Sequence, residues 1–469
     1  MPDFELPSEL RTNAWTGTES PVSPVDPASA TWGLRDRFVG GGRLGAMRAP
    51  TPVDLKCWRH PDVGWGLLLL DPDNDAIDAK ARATAEDAPE PLRRLVAARN
   101  APVLRWSKTL KNGYLRRYGP DGSKVDLSIT GGKRGVGPNA LPRYLLIYGD
   151  PDTIPWRTQY ALNGNFFVGR LPALGDEALG RYVDCLIDGW PDPAPSIAAP
   201  LLWTVDHRGG DITSLMRAVV GKALWDRFGT DTELTGKRWL DRADATTDQL
   251  ITALHEQRPA LVTTTSHGIA GPAEDLAGMG AQLGQLVDAR YRSLAATDLL
   301  AGWNPGGAIW YAHACCSAGS EAPSRYAGLF ATDDANAVML RGVAALGPRV
   351  APLPRALLSA PTPLKAWVGH VEPTFNWTLY NPGNNENLAG AISAALYAEL
   401  YQTGAPIGWA LREVFLESKA FYASYVEAIA AVNDGDNSYA PVAQYRQLVA
   451  MDREAMVLLG DPTVDLGLT

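Results

Sequence analysis

Cysteine is scarce in this chain: 469 residues contain four, Cys57, Cys185, Cys315 and Cys316. Thiols so few and so unevenly spread do not make the disulfide framework of a small secreted scaffold, and they lack zinc-ligand spacing. Adjacent Cys315 and Cys316 do not easily join, because a disulfide asks for Cα atoms ~4.4 to 6.8 Å apart while chain neighbours sit at ~3.8 Å. The sequence also lacks a Gly-x-x-x-x-Gly-Lys phosphate loop and any calcium-ligand pattern, so neither cofactor nor metal is expected. Positive charge is in short supply, with 43 Lys and Arg against 52 Asp and Glu, a net charge of -9. Such a surface repels phosphate backbones and anionic lipid, so no nucleic acid and no membrane is expected as a partner. No run approaches the ~18 apolar residues of a membrane span, Leu67 to Leu70 being far too short. Met1 to Leu10 is acidic, without the basic start and apolar stretch of a secretory signal, and the expected location is cytoplasmic.

What is present is an ordinary globular balance, 46% hydrophobic and 20% charged, in a chain long enough for a large core. Residues 1–52 are rich in Pro, Gly, Ser and Thr with little periodicity and read as an arm. Trp65 to Leu70 and Tyr144 to Tyr148 read as strands, and Leu179 to Leu186 as a helix. The Pro-rich stretch Pro191 to Pro200 is the best boundary, which predicts a smaller α/β subdomain over 53–195 and a second unit over 196–469. In that unit Leu201 to Val205, Ala260 to Thr265 and Gly307 to Ala314 read as strands. Ser214 to Phe228 and Thr247 to His255 carry helical spacing between them, and a further apolar run covers Gly342 to Leu346. Leu388 to Tyr401 and Ile407 to Ile429 read as covering helices. The alternation predicts an α/β fold, a mostly parallel sheet covered by helices.

Chemistry in such a sheet collects beyond the carboxyl ends of the strands. Two ends stand out: Leu261-Val262-Thr263-Thr264-Thr265-Ser266-His267-Gly268, and Ala308-Ile309-Trp310-Tyr311-Ala312-His313-Ala314-Cys315-Cys316-Ser317-Ala318-Gly319. A thiolate is a nucleophile, and an imidazole beside it moves the proton that a leaving amine needs. A lone histidine at a strand end is more often structural and a lone buried cysteine more often inert, so the argument rests on the pair. Cys316 is the rival nucleophile and His313 the rival base. His313, within its strand and two residues before Cys315, reads more simply as a core histidine.

Cys315 lies 48 residues after His267 and follows an alanine, and in this order and spacing the chain resembles the caspase-like cysteine peptidases. The residues after Cys315 depart from the caspase pattern. Ala-Cys-x-Ser-Ala resembles instead the gingipain, separase and CHAT-domain peptidases. Leu145-Leu146-Ile147-Tyr148-Gly149-Asp150-Pro151, Val168-Gly169-Arg170-Leu171-Pro172, Gly369-His370-Val371-Glu372-Pro373 and Leu458-Leu459-Gly460-Asp461-Pro462-Thr463 are similar to segments of the gingipain type and extend the resemblance over Tyr144 to Leu466. As bare physics these pieces are turns. The resemblance implies a caspase-like catalytic domain, a His267 and Cys315 dyad, and a thioester acyl-enzyme. It implies an oxyanion held by the backbone N–H groups of Gly268 and Cys315.

The same resemblance puts a specificity wall in the loop Asp206-His207-Arg208-Gly209-Gly210-Asp211, where Asp206 or Asp211 would select a basic residue before the cut. Each charge also reads as part of a solvated turn. The loop from Ile269 to Thr297 is a candidate cover for the cleft or a cleavage site on activation. Relatives of this kind are often latent until an activating protease or a regulatory partner acts, and several serve in prokaryotic defence or cell death. The expected partner is a protein or peptide substrate. Two other readings stay open: an inactive caspase-fold scaffold, and a cysteine hydrolase of non-protein acyl groups.

Overall fold

Runs such as Leu201–Thr204, Leu261–Thr265 and Ile309–His313 are buried at every position, the condition of strands covered on both faces. The computed structural model describes residues 8–25, 53–72, 77–110, 112–190, 194–381 and 386–467. Much of the expected arm, including Gly40-Gly41-Gly42, lies outside the described residues.

Twelve strands form the central sheet. They are β1 (Trp65–Leu70), β2 (Val103–Trp106), β3 (Tyr114–Tyr118), β4 (Lys124–Ser128), β5 (Tyr144–Tyr148) and β6 (Phe167–Leu171), then β7 (Leu201–Thr204), β8 (Arg238–Asp241), β9 (Leu261–Thr265), β10 (Ile309–His313), β11 (Ala366–His370) and β12 (Met456–Gly460). Their spatial order is β8-β7-β9-β10-β11-β12-β6-β5-β1-β2-β3-β4. All pairings are parallel except β11 with β12, β2 with β3 and β3 with β4. The expected α/β class with a mostly parallel sheet is what the chain adopts. One sheet runs through both units, because β12 returns from the end of the chain to pair with β11 on one side and, at Leu459, with Arg170 of β6 on the other.

Alternation along the strands sorts the core into layers. Trp203, Trp310 and Trp367 face the side covered by Leu250 and Leu254 of the helix Thr247–Gln257. Leu202, Leu261, Ile309, Tyr311 and Val368 face Met216, Val220, Leu224 and Leu396 on the other. Thr246 caps the helix Thr247–Gln257 by accepting the Gln249 N–H, so the side chain before the apolar stripe starts it.

The helical expectations stand with shifted ends: Leu179 to Leu186 lies in Asp176–Asp188, and Ile407 to Ile429 divides into Ile407–Ala410 and Arg412–Asn433. The apolar run Gly342 to Leu346 belongs to the helix Ala335–Ala345, and the neighbour of β10 is β11. The long segment after Gly268 is not open coil. It carries the helix Leu276–Gln282, and its Gln285 to Asp288 stretch is buried.

Candidate active site

Strands β9 and β10 are parallel neighbours in register, Thr265 opposite His313. Each chain therefore leaves the sheet at the same edge, and His267 and Cys315 stand two residues beyond that pair. Ser266 N–H still donates to His313 O at 3.3 Å. Gly268 then lies against Cys315 so closely that a Cβ there would fall 1.9 Å from the Cys315 carbonyl oxygen. Only glycine allows the two loops to meet in this way.

The orienting group for His267 is Asp211. Its Oδ1 accepts the Thr213 N–H at 2.8 Å and caps the helix Ile212–Met216, which leaves Oδ2 to take His267 Nε2 at 2.9 Å. Burial acts to raise this carboxyl. The hydrogen bond and charge of His267, with those from Thr213, outweigh it and hold the group at about 2. A carboxylate that stays charged accepts a proton on Nε2, so in the neutral imidazole Nδ1 is the acceptor nitrogen. Nδ1 faces Ser20 Oγ at 3.4 Å, and Trp15 and His207 stack on the ring with centroids 6.1 and 5.3 Å away.

Asp206 turns elsewhere. It accepts Ser214 Oγ at 2.5 Å and the Arg208 N–H at 3.0 Å, and it lies 3.5 Å from Arg242. Both carboxylates expected at a pocket wall are thus engaged by groups of their own chain. The donor atoms of His207, Asp211 and His267 lie within 4.8 Å of one another, close enough to share a metal ion. In this arrangement His207 Nε2 faces Asp288 O at 3.0 Å, and His267 and Asp211 bond directly.

Cys315 is fully buried, as is His267. Its Sγ receives the Thr374 N–H at 3.2 Å and lies 3.6 Å from Thr374 O. Burial drives the thiol pKa well up and neighbouring Cys316 adds to this, while backbone hydrogen bonds from Thr374 and Asn13 act in the opposite direction. Buried in this way, the sulfur is held as a thiol. Cys316 has φ 55°, its N–H donates to Glu372 O at 2.9 Å, and burial with the Glu372 charge raises its thiol too. His313 bonds through Nδ1 to Tyr311 OH at 2.8 Å and packs edge-on to His370. Burial first, then Arg453, lowers it to about 3, so it is a neutral core histidine.

Thr374 and Asp452 carry no signal of a site in the sequence, although the Gly369 to Pro373 segment does. Asp452, fully buried on the helix Ala440–Glu454, holds that segment by accepting Thr374 Oγ1 at 2.8 Å and the Phe375 N–H at 3.1 Å. The contacts from residues 12–20 had no legible signal at all, because an aperiodic arm does not announce where it lies. Asp211-Ile212-Thr213 was readable as a helix cap.

No family model matches this chain, and no curated protein does. A solved structure titled "Structure of Protease" is similar at 12% identity, over 87% of this chain and 79% of the other, with a TM-score of 0.45. A likeness that low carries no weight for the chemistry. Among the described residues no helix is long and apolar enough to cross a membrane.

Proposed function

We propose that the chain is a cysteine endopeptidase, with Cys315 as nucleophile, His267 as general base and then acid, and Asp211 as the group that orients the imidazole. The observation that carries the reading is the Asp211 to His267 Nε2 hydrogen bond, made where His267-Gly268 packs against the Cys315 backbone. It leaves the basic nitrogen and the thiol at the ends of adjacent strands, which is what proton transfer followed by attack requires.

In the reaction His267 Nδ1 takes the Cys315 proton and Sγ adds to the substrate carbonyl carbon. The oxygen that becomes negative is held by the Gly268 and Cys315 N–H groups. The C–N bond breaks as the imidazolium returns the proton to the leaving amine. Water, deprotonated by the same nitrogen, then hydrolyses the thioester and restores the thiol. Asp211 stays charged throughout and keeps the Nε2 proton in place.

A mixed peptide library incubated with the wild type, Cys315→Ala and Cys316→Ser, with cut sites read by mass spectrometry, tests this. Peptide cleavage by the wild type and Cys316→Ser that disappears in Cys315→Ala is the expected result. Cleavage surviving in Cys315→Ala overturns the assignment of the nucleophile. If esters are turned over and no peptide is cut even after the residues over the thiol are displaced, the non-protein acyl hydrolase replaces it.

A further inference from the structure

A peptide in the cleft of a thiol peptidase meets three demands at once. It runs extended along a wall of the cleft, places the carbonyl of the residue before the cut on the oxyanion donor, and lays that residue's backbone against the sulfur. One segment of this chain meets all three. Residues 9–11 and 22–24 form a two-stranded antiparallel ladder, and the chain between them crosses the site. Thr12 pairs antiparallel with Phe375, and Asn13 N–H donates to Thr374 O at 3.2 Å. The Gly268 N–H, assigned above to the oxyanion, donates to Asn13 O at 3.0 Å. The Asn13 backbone also lies near enough to the Cys315 sulfur to draw its thiol pKa down against the effect of burial. Beyond it Ala14–Trp15 runs parallel with Gly268–Ile269, and the Trp15 ring lies over His267. Ser20 closes the far side at His267 Nδ1.

We propose that Arg11–Trp15 occupies the peptide cleft as a tethered substrate analogue, with Asn13 in the place of the residue before the cut; the proposal rests on the peptidase reading above. Its side chain then reports what the first pocket takes. Asn13 is fully buried; its Nδ2 donates to His313 O at 3.3 Å, while its Oδ1 meets no donor among the described residues. A carbonyl at the end of a pocket accepts an amide N–H and repels an aspartate carboxylate. A Lys or Arg in the same place would find neither loop acid as a partner, since Asp206 and Asp211 face Ser214 and His267. The pocket therefore suits a short side chain that ends in an N–H donor, of which asparagine is the one seated there, in place of the basic residue expected from the loop acids. The enzyme stays silent while the segment remains seated, because backbone hydrogen bonds and pocket are already filled, the mode by which an extended peptide adds to a sheet edge.

The test uses full-length chains. Trp15→Arg removes the ring over His267 and drives a charge into its place, which unseats the segment. In a second variant a recognition site for an exogenous protease is inserted after Val25 and cut after folding, so that folding takes place with the segment present. Matched peptidyl ketone probes ending in Asn, Asp or Arg are applied, iodoacetamide serves as a pocket-independent probe, and labelling of Cys315 is followed by mass spectrometry. The expected result is at least about tenfold faster labelling of either variant than of the wild type, with the Asn probe at least about tenfold ahead of the other two. Equal rates in the wild type and the opened variants overturn the occupancy. The Arg or Asp probe leading overturns the pocket assignment while leaving the peptidase reading intact. Iodoacetamide reaching Cys315 in the opened variants while all three peptidyl probes fail would instead sink the peptidase reading itself.

Discussion

Asp211 divides its two oxygens between a helix end and an imidazole, and that division is what gives its loop a place in the proposed proton chemistry. In Asp211→Asn an amide oxygen still caps Thr213, but an N–H now faces Nε2 and favours the tautomer that has its proton on Nδ1. In a chain whose cleft has been opened, kcat is expected to fall by about 10²-fold or more with KM little changed, measured on peptide substrates. Gly268→Ala attacks the same geometry from the backbone. A methyl 1.9 Å from the Cys315 carbonyl forces the two loops apart. Its expected signature is loss of Cys315 labelling by peptidyl probes together with a lowered melting temperature, followed by mass spectrometry and calorimetry.

At the scale of elements, the helix Ala440–Glu454 holds the segment beside Cys315 through one carboxyl. Asp452 accepts from Thr374 and Phe375, and burial raises it to about 7 against those hydrogen bonds and the nearby Arg453. Because the folded value lies above the unfolded one, its contribution to stability is complete below the unfolded value and is lost as pH climbs through about 7. Glu372, at the foot of the same segment, is raised to about 7 by burial and acts with the same sign. Asp452→Asn keeps an acceptor for both donors and cannot ionise. The variant's melting temperature is therefore expected to gain on the wild type between about pH 4 and about pH 7, with a residual slope from Glu372 that Glu372→Gln reduces in turn.

Across the whole molecule, the return of β12 between β11 and β6 makes one sheet of the two halves. The turn after it explains the Gly460-Asp461-Pro462-Thr463 motif in physical terms. Fully buried Asp461 accepts from Trp65 Nε1 and Arg99, each at 3.0 Å, and from the Thr463 N–H at 2.9 Å. The end of the chain is thereby tied to β1 and to the helix Glu90–Arg99. Removing one partner of a buried pair strands the other charge, so Asp461→Ala is expected to cost about 3–5 kcal/mol in urea unfolding, with β1 and β5 amides losing hydrogen-exchange protection first.

The strands at Trp65–Leu70, Tyr144–Tyr148, Leu261–Thr265 and Ile309–His313 were legible because buried parallel strands are short apolar runs that end in turn residues, a property of neighbouring positions. His267, Gly268 and Cys315 were legible as candidates for the same reason, each lying just past such a run. The end of β11 was seen only as a motif, since Gly369 and His370 interrupt its apolar pattern. What Asp211 faces, which backbone receives the Cys315 sulfur, and what lies over both were decided by folding alone. Those partners join residue 211 to 267, 315 to 374, and 13 to 268 and 313. Contacts between such distant positions come from the register of the strands and the path of the arm, and local periodicity does not encode either.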